Sequence, residues 1–131
     1  MENVFKTLVA IGGGALSLLF GGWSRLLTIL IVFVIIDYAS GVAAGSVEGK
    51  LKSKIGLIGI ARKVFIFAMV AVAHLIDTAL GDQHVFRNAT IFFYLANEAL
   101  SIIENTGRIG LPVPEVIKKA VDVLKDKGGA K

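Results

Sequence analysis

The stretch Val85–Pro114, VFRNATIFFYLANEALSIIENTGRIGLPVP, decides how the rest of the chain is read. At helical spacing, Tyr94, Asn97, Glu98, Ser101, Glu104, Asn105 and Arg108 form one continuous polar stripe. The opposite face is Phe92, Phe93, Leu95, Ala96, Ala99, Leu100, Ile102 and Ile103. A helix of this kind is apolar enough to enter a bilayer, but its polar groups must be satisfied by other helices or by water. The remainder of the chain must therefore supply partners for the stripe.

Composition places those partners in a membrane. The chain has 131 residues, of which 55% are hydrophobic and only 18% charged, and its mean hydropathy is +0.76; soluble domains carry about 25% charged residues. The length allows one domain, and at about 20 residues per crossing it allows four or five spans at most. Cysteine is absent, which excludes disulfide, thiol and cysteine–metal chemistry. The net charge of +4 falls in loops and tail, so it reads as a topology determinant facing anionic lipid and not as a nucleic-acid surface.

Outward from the opening stretch, three further spans are expected. Thr7 to Trp23 is uncharged and glycine-rich, with Gly13, Ser17 and Gly21 at four-residue spacing. With Lys6 before a short apolar run, a signal-peptide core is the alternative; a retained first helix is the reading taken, because the exit at Trp23 lacks a small-x-small cleavage site and another apolar run follows at once. Leu26 to Val47 changes character at Asp37-Tyr38 and leads into Gly41, Gly45 and Gly49, overlapping GxxxG frames that allow close helix packing, within the chain or between copies. The loop EGKLKSK, Glu48 to Lys54, carries lysines and is cytoplasmic by the positive-inside rule. Leu57 to Leu80 is the third span, Gly81 to His84 a tight antiparallel turn, and Val85 to Glu104 the fourth span.

Past Gly110-Leu111-Pro112, Pro114 is expected as the first residue of a new helix. Glu115 to Lys127 is amphipathic, too short and too charged to span, and is expected on the cytoplasmic surface or between subunits, followed by a disordered tail, Gly128 to Lys131. The expected fold is thus an all-α membrane protein: about four transmembrane helices within residues 1–111, and a C-terminal amphipathic interfacial helix and tail within 112–131. Both termini are then cytoplasmic.

Depth brings the charges together. At ~1.5 Å per residue, Asp37 and Glu98 lie roughly 16 and 20 Å below the outer ends of their helices, and Arg62 and Lys63 roughly 8 Å above the cytoplasmic end of theirs. In a ~30 Å core these residues approach one level. Asn97, Ser101 and Glu104 continue the polar line along the fourth helix, and Asp77, with His74 and Arg87, would make a second layer near the outer surface. A charge at the bilayer centre costs on the order of 3 kcal/mol, so none of these groups is expected to face acyl chains. Static pairing within the bundle and the lining of a hydrated path both fit the pattern. No nucleophile, oriented base or phosphate loop accompanies the carboxylates, and His74 and His84 are too isolated for a metal site; neither an enzyme, a cofactor nor a metal is expected.

The pattern Asp37-Tyr38-Ala39-Ser40-Gly41, then Ser53-Lys54 with Gly56, Gly59 and Lys63, then Asp77, and the run NEALSIIENTGRIGLPVPE from Asn97 to Glu115, resembles the small phage-lysis and toxin-secretion holin family. The resemblance covers Asp37 to Lys125, and its terminal block is the specific part. It implies a protein of the bacterial cytoplasmic membrane that assembles into homo-oligomers in the lipid bilayer. It further implies timed lesions through which an endolysin or a large toxin escapes as cargo, without direct binding being required. A small constitutive ion channel or transporter subunit, or a membrane adaptor acting through the C-terminal helix, are the alternatives that the intramembrane charges leave open.

Overall fold

The computed structural model describes residues 1–81 and 83–129. They form five helices: α1 (Glu2–Phe20), α2 (Arg25–Val47), α3 (Ser53–Leu80), α4 (Val85–Ile109) and α5 (Glu115–Lys127). The helices alternate in direction, so the starts of α2 and α4 lie at one end of the bundle with the ends of α1 and α3. That end is called the Arg87 end below, and the opposite one the Arg108 end.

Local chemistry sets the boundaries. Gly21 and Gly22 stop α1 with φ of 74° and 90°, and Ser24 starts α2 by accepting the Leu27 N–H on its hydroxyl at 3.1 Å. Trp23 is exposed in the connection rather than inside the first helix. Gly110 ends α4 with φ 98°. Pro114 is the N-cap of α5 and not its first helical residue, one position earlier than expected. Gly49, assigned from sequence to a packing frame on the second helix, lies beyond the Glu48 cap with φ 68° and packs against nothing.

The core is narrow. Leu30 and Val34 of α2, Val70 of α3, and Ile91 and Leu95 of α4 form its main cluster. Around it the surface is apolar: Val32, Ile35 and Ile36 on α2 and Val64, Phe65 and Ile76 on α3 point outward, and α1 has no buried residue. Such a surface cannot be left in water, whereas acyl chains solvate it at no cost. Three helices, α1, α2 and α3, are long and apolar enough to cross a membrane. α4 has the length, but its polar stripe keeps it out of that class.

α4 is the helix the others surround: it packs against α2, α3 and α5. α5 was expected flat on the membrane surface or between subunits; in the fold it turns back along α4 of its own chain. Val121 joins Ala96 and Ala99 in a second buried cluster, with Leu124 beside it. The small alanines let α5 approach closely enough to give its apolar edge a dry partner. Of the tail, Ala130 and Lys131 lie outside the described residues.

Candidate functional site

Asp37, Lys63 and Glu98 meet between α2, α3 and α4. Lys63 Nζ donates to Asp37 Oδ2 at 2.5 Å and to Glu98 Oε2 and Oε1 at 3.0 and 3.3 Å. Both acids are buried, with 6% and 5% of their surface exposed. One amine thus holds two carboxylates. Desolvating such a triad is costly, and good geometry with further hydrogen bonds is what offsets the cost.

Two features deliver Lys63 to that position. Gly56, Gly59 and Lys63 share one face of α3, and the ring of Tyr38 lies on the two glycines. A Cβ at Gly56 would stand 3.2 Å from the Tyr38 hydroxyl, and one at Gly59 3.8 Å from its ring. The helices therefore approach closely just below Asp37, and Lys63 comes in one turn beyond Gly59.

The network continues toward the Arg108 end. Asn105 Nδ2 donates to Asp37 Oδ1 and to Ser40 Oγ, each at 3.0 Å. Arg108 Nη1 donates to Asn105 Oδ1 at 3.1 Å, while its Nη2 and Nε reach the Glu48 carboxylate at 2.6 and 3.3 Å. Outside the spans, this guanidinium holds the Glu48 carboxyl below its ordinary range, chiefly by hydrogen bonding. Gly41 admits Asn105: a Cβ there would meet its Nδ2 at 3.5 Å. Gly45 packs in the same way against Leu51. Both glycines face neighbours within the subunit.

The remaining residues singled out from sequence are placed differently. Arg62, expected beside Lys63, is turned away by the helical step and exposed, without an ion pair among the described residues. It borders an open cavity of about 500 Å³ at the Arg108 end, onto which Asp37, Lys63 and Asn105 of the network also open. Ser101 is half-buried; Asn97 and Glu104 are exposed on α4. The stripe read as one surface is therefore two, Glu98 and Asn105 turned into the bundle and Asn97 and Glu104 turned out. Asn105 and the Arg108–Glu48 pair were not singled out as site residues; the seven-residue step from Glu98 to Asn105 is the signal that pointed to the first.

A second polar layer lies at the Arg87 end. Asp77, 3% exposed, accepts the backbone N–H groups of Phe86 and Arg87, both at 2.8 Å, and so caps α4 from the neighbouring helix. The Arg87 side chain turns away from Asp77: Nη1 donates to the Phe20 carbonyl at the end of α1 at 2.8 Å, and Nε and Nη2 donate to Asn88 Oδ1. The rings of His74 and His84 stack beside it with centroids 5.7 Å apart. Gly21 fits against this layer for want of a side chain: a Cβ would lie 2.7 Å from His74 and 2.8 Å from His84. No group of three His, Cys, Asp or Glu among the described residues is placed to hold a metal ion.

Paired charges between helices whose outer faces on α1, α2 and α3 are apolar fit a lipid-embedded bundle, and comparison with known proteins gives it a family. The sequence profile of the bacteriophage holin family matches residues 14–126. The chain belongs to that family. It is 49% identical over 130 residues, 95% of this chain and 96% of the relative, to an uncharacterised protein of Halalkalibacterium halodurans. It is 36% identical over 131 residues, 97% of this chain and 99% of the relative, to an uncharacterised 14.9 kDa protein from the nagH 3′ region of Clostridium perfringens. A protein of Bacillus phage phi105 named "Probable holin" is 37% identical over 110 residues, 84% of this chain and 82% of its own. No solved structure matches.

Proposed function

We propose that this holin-family protein crosses the bacterial cytoplasmic membrane four times with both termini inside, accumulates there, and assembles with its own copies into timed lesions. These would release an endolysin, or a large toxin, from the cytoplasm. The observation that carries the proposal is the Lys63–Asp37–Glu98 triad and its continuation to Arg108. Each charge in that line has a partner inside the subunit, so these particular groups need no contact with acyl chains. The triad is then the clamp that sets how long the waiting form persists. Orientation follows from Lys50, Lys52 and Lys54, which put the Arg108 end in the cytoplasm.

A saturable channel would need a polar path through the whole subunit; the open cavity reaches Asp37 and Lys63 from the Arg108 end, where the triad's members pair with one another. The test is induced expression in a bacterium that also makes a cytoplasmic endolysin without an export signal, following membrane potential and turbidity together. Abrupt depolarisation followed by endolysin-dependent lysis is expected. Steady growth with a sealed membrane, once insertion is confirmed, would overturn the reading.

A further inference from the structure

The fold leaves one conflict with lipid unresolved, and it lies in α5. Gly128, just past the end of α5, sits against the backbone of α4 so closely that a Cβ there would be 2.7 Å from the Phe93 nitrogen. Phe93 is sixteen residues from the Arg108 end of α4, which places the end of α5 roughly 24 Å along that helix. With a hydrocarbon core of ~30 Å, α5 rises through most of the membrane.

Its outer surface is charged over that whole rise. Lys118, Lys119, Asp122, Asp126 and Lys127 are exposed, and the one ion pair they make among the described residues is the loose Lys118–Glu115 contact at 3.6 Å. Unlike the triad, these charges have no protein around them. Because α4 and α5 run antiparallel, their helical phases turn Asn97 and Glu104 of α4, with the partly exposed Phe93 and Leu100 beside them, to the same flank of the hairpin as Lys118, Asp122 and Asp126 of α5. The opposite side of the subunit, α1 with the outer faces of α2 and α3, is apolar. The subunit is therefore two-faced at membrane depth.

We infer that the polar flank of the α4–α5 hairpin is the wall of the water-filled lesion. Copies arranged in a ring or arc turn the hairpin to the water and α1 to the lipid, and the exposed Val116 and Val123 on the other flank of α5 pack against the next copy. The wall is built without the groups of the triad, whose part is to time the waiting form. This inference rests on the holin reading above and names the surface that reading leaves open.

The test uses the full, naturally cysteine-free chain in dye-loaded liposomes. Ala99→Cys with Val121→Cys is joined by a cleavable thiol crosslinker, tying α5 to α4. The tied protein is expected to release dye as fast as the same sample after cleavage. In parallel, Lys118→Leu with Asp122→Leu and Asp126→Leu is expected to insert normally and to lose dye release, because the wall is no longer polar. Release that vanishes on tying and returns on cleavage would overturn the inference, showing that α5 must leave α4; so would full release by the leucine variant. Absence of release from the unmodified chain would overturn the holin reading itself, and the lumen with it.

Discussion

α1, with 19 residues, and α4, with 25, are in opposite circumstances. α1 buries no residue at all, while α4 is packed by α2, α3 and α5 and buries seven of its residues, among them Arg87, Glu98 and Asn105. In water the exposed helix would be the unstable one. In lipid the relation is reversed: α1 satisfies its backbone internally and gives its side chains to acyl chains, whereas α4 carries groups that only other protein or water can accept. Packing around α4 thus follows polarity: its buried charges lie beside the apolar cluster and not on the lipid side.

The largest expected effect comes from breaking the packed side. Lys63→Met leaves Asp37 and Glu98 facing each other without their shared cation, and removing one member of a buried ion cluster costs about 3–5 kcal/mol. The expected outcome is loss of the protease-resistant bundle in detergent. Adding Asp37→Leu and Glu98→Leu should restore it, and a bundle that survives Lys63→Met alone would show that the packing of α4 does not depend on the shared cation. At the Arg87 end, Gly21→Val combines a positive φ with the contacts at His74 and His84, a strain on the order of 1–3 kcal/mol. It should lower the thermal unfolding midpoint and detach α1, which a crosslinking assay between α1 and α3 would register.

Glu98→Gln removes one charge but keeps the shape. Insertion should be normal and the timing of permeabilisation altered, measured at equal membrane abundance; unchanged timing would remove the triad from the trigger. The smallest effect belongs to the exposed Arg108–Glu48 pair. The folded-state value of Glu48 is depressed below its ordinary 4.5, so its contribution is present above about pH 4.5 and is lost as pH falls through the depressed value. Glu48→Gln should therefore match the unmodified chain in stability once the pH is low enough to protonate Glu48, and fall slightly below it at neutral pH, the difference shrinking with salt. A melting series against pH for the two proteins checks this.

Much of the triad was legible from chain position alone. Helical rise and bilayer thickness alone put Asp37, Lys63 and Glu98 near one level. What they could not give was azimuth. Arg62 is next to Lys63 in sequence and points elsewhere, and Asn97 is next to Glu98 and faces outward, because depth changes by ~1.5 Å per residue while direction changes by 100°. Asp77 was placed in the right layer without its task, since a carboxylate capping a neighbouring helix leaves no mark in local spacing. The Gly41 and Gly45 frame gave a close contact, but the sequence left open whether its partner was this chain or another.

The sequence by itself determined that the chain is helical, lies in a membrane, and must hide a few charges there; these follow from composition and period, which are local properties. Only the tertiary structure decided which charges are hidden together and that α5 returns along α4. The return depends on Ala96 and Ala99 being small where Val121 arrives, and on Gly128 closing against the backbone at Phe93. Such complementarity exists between surfaces that are distant in the chain, and no window of sequence contains both halves of it.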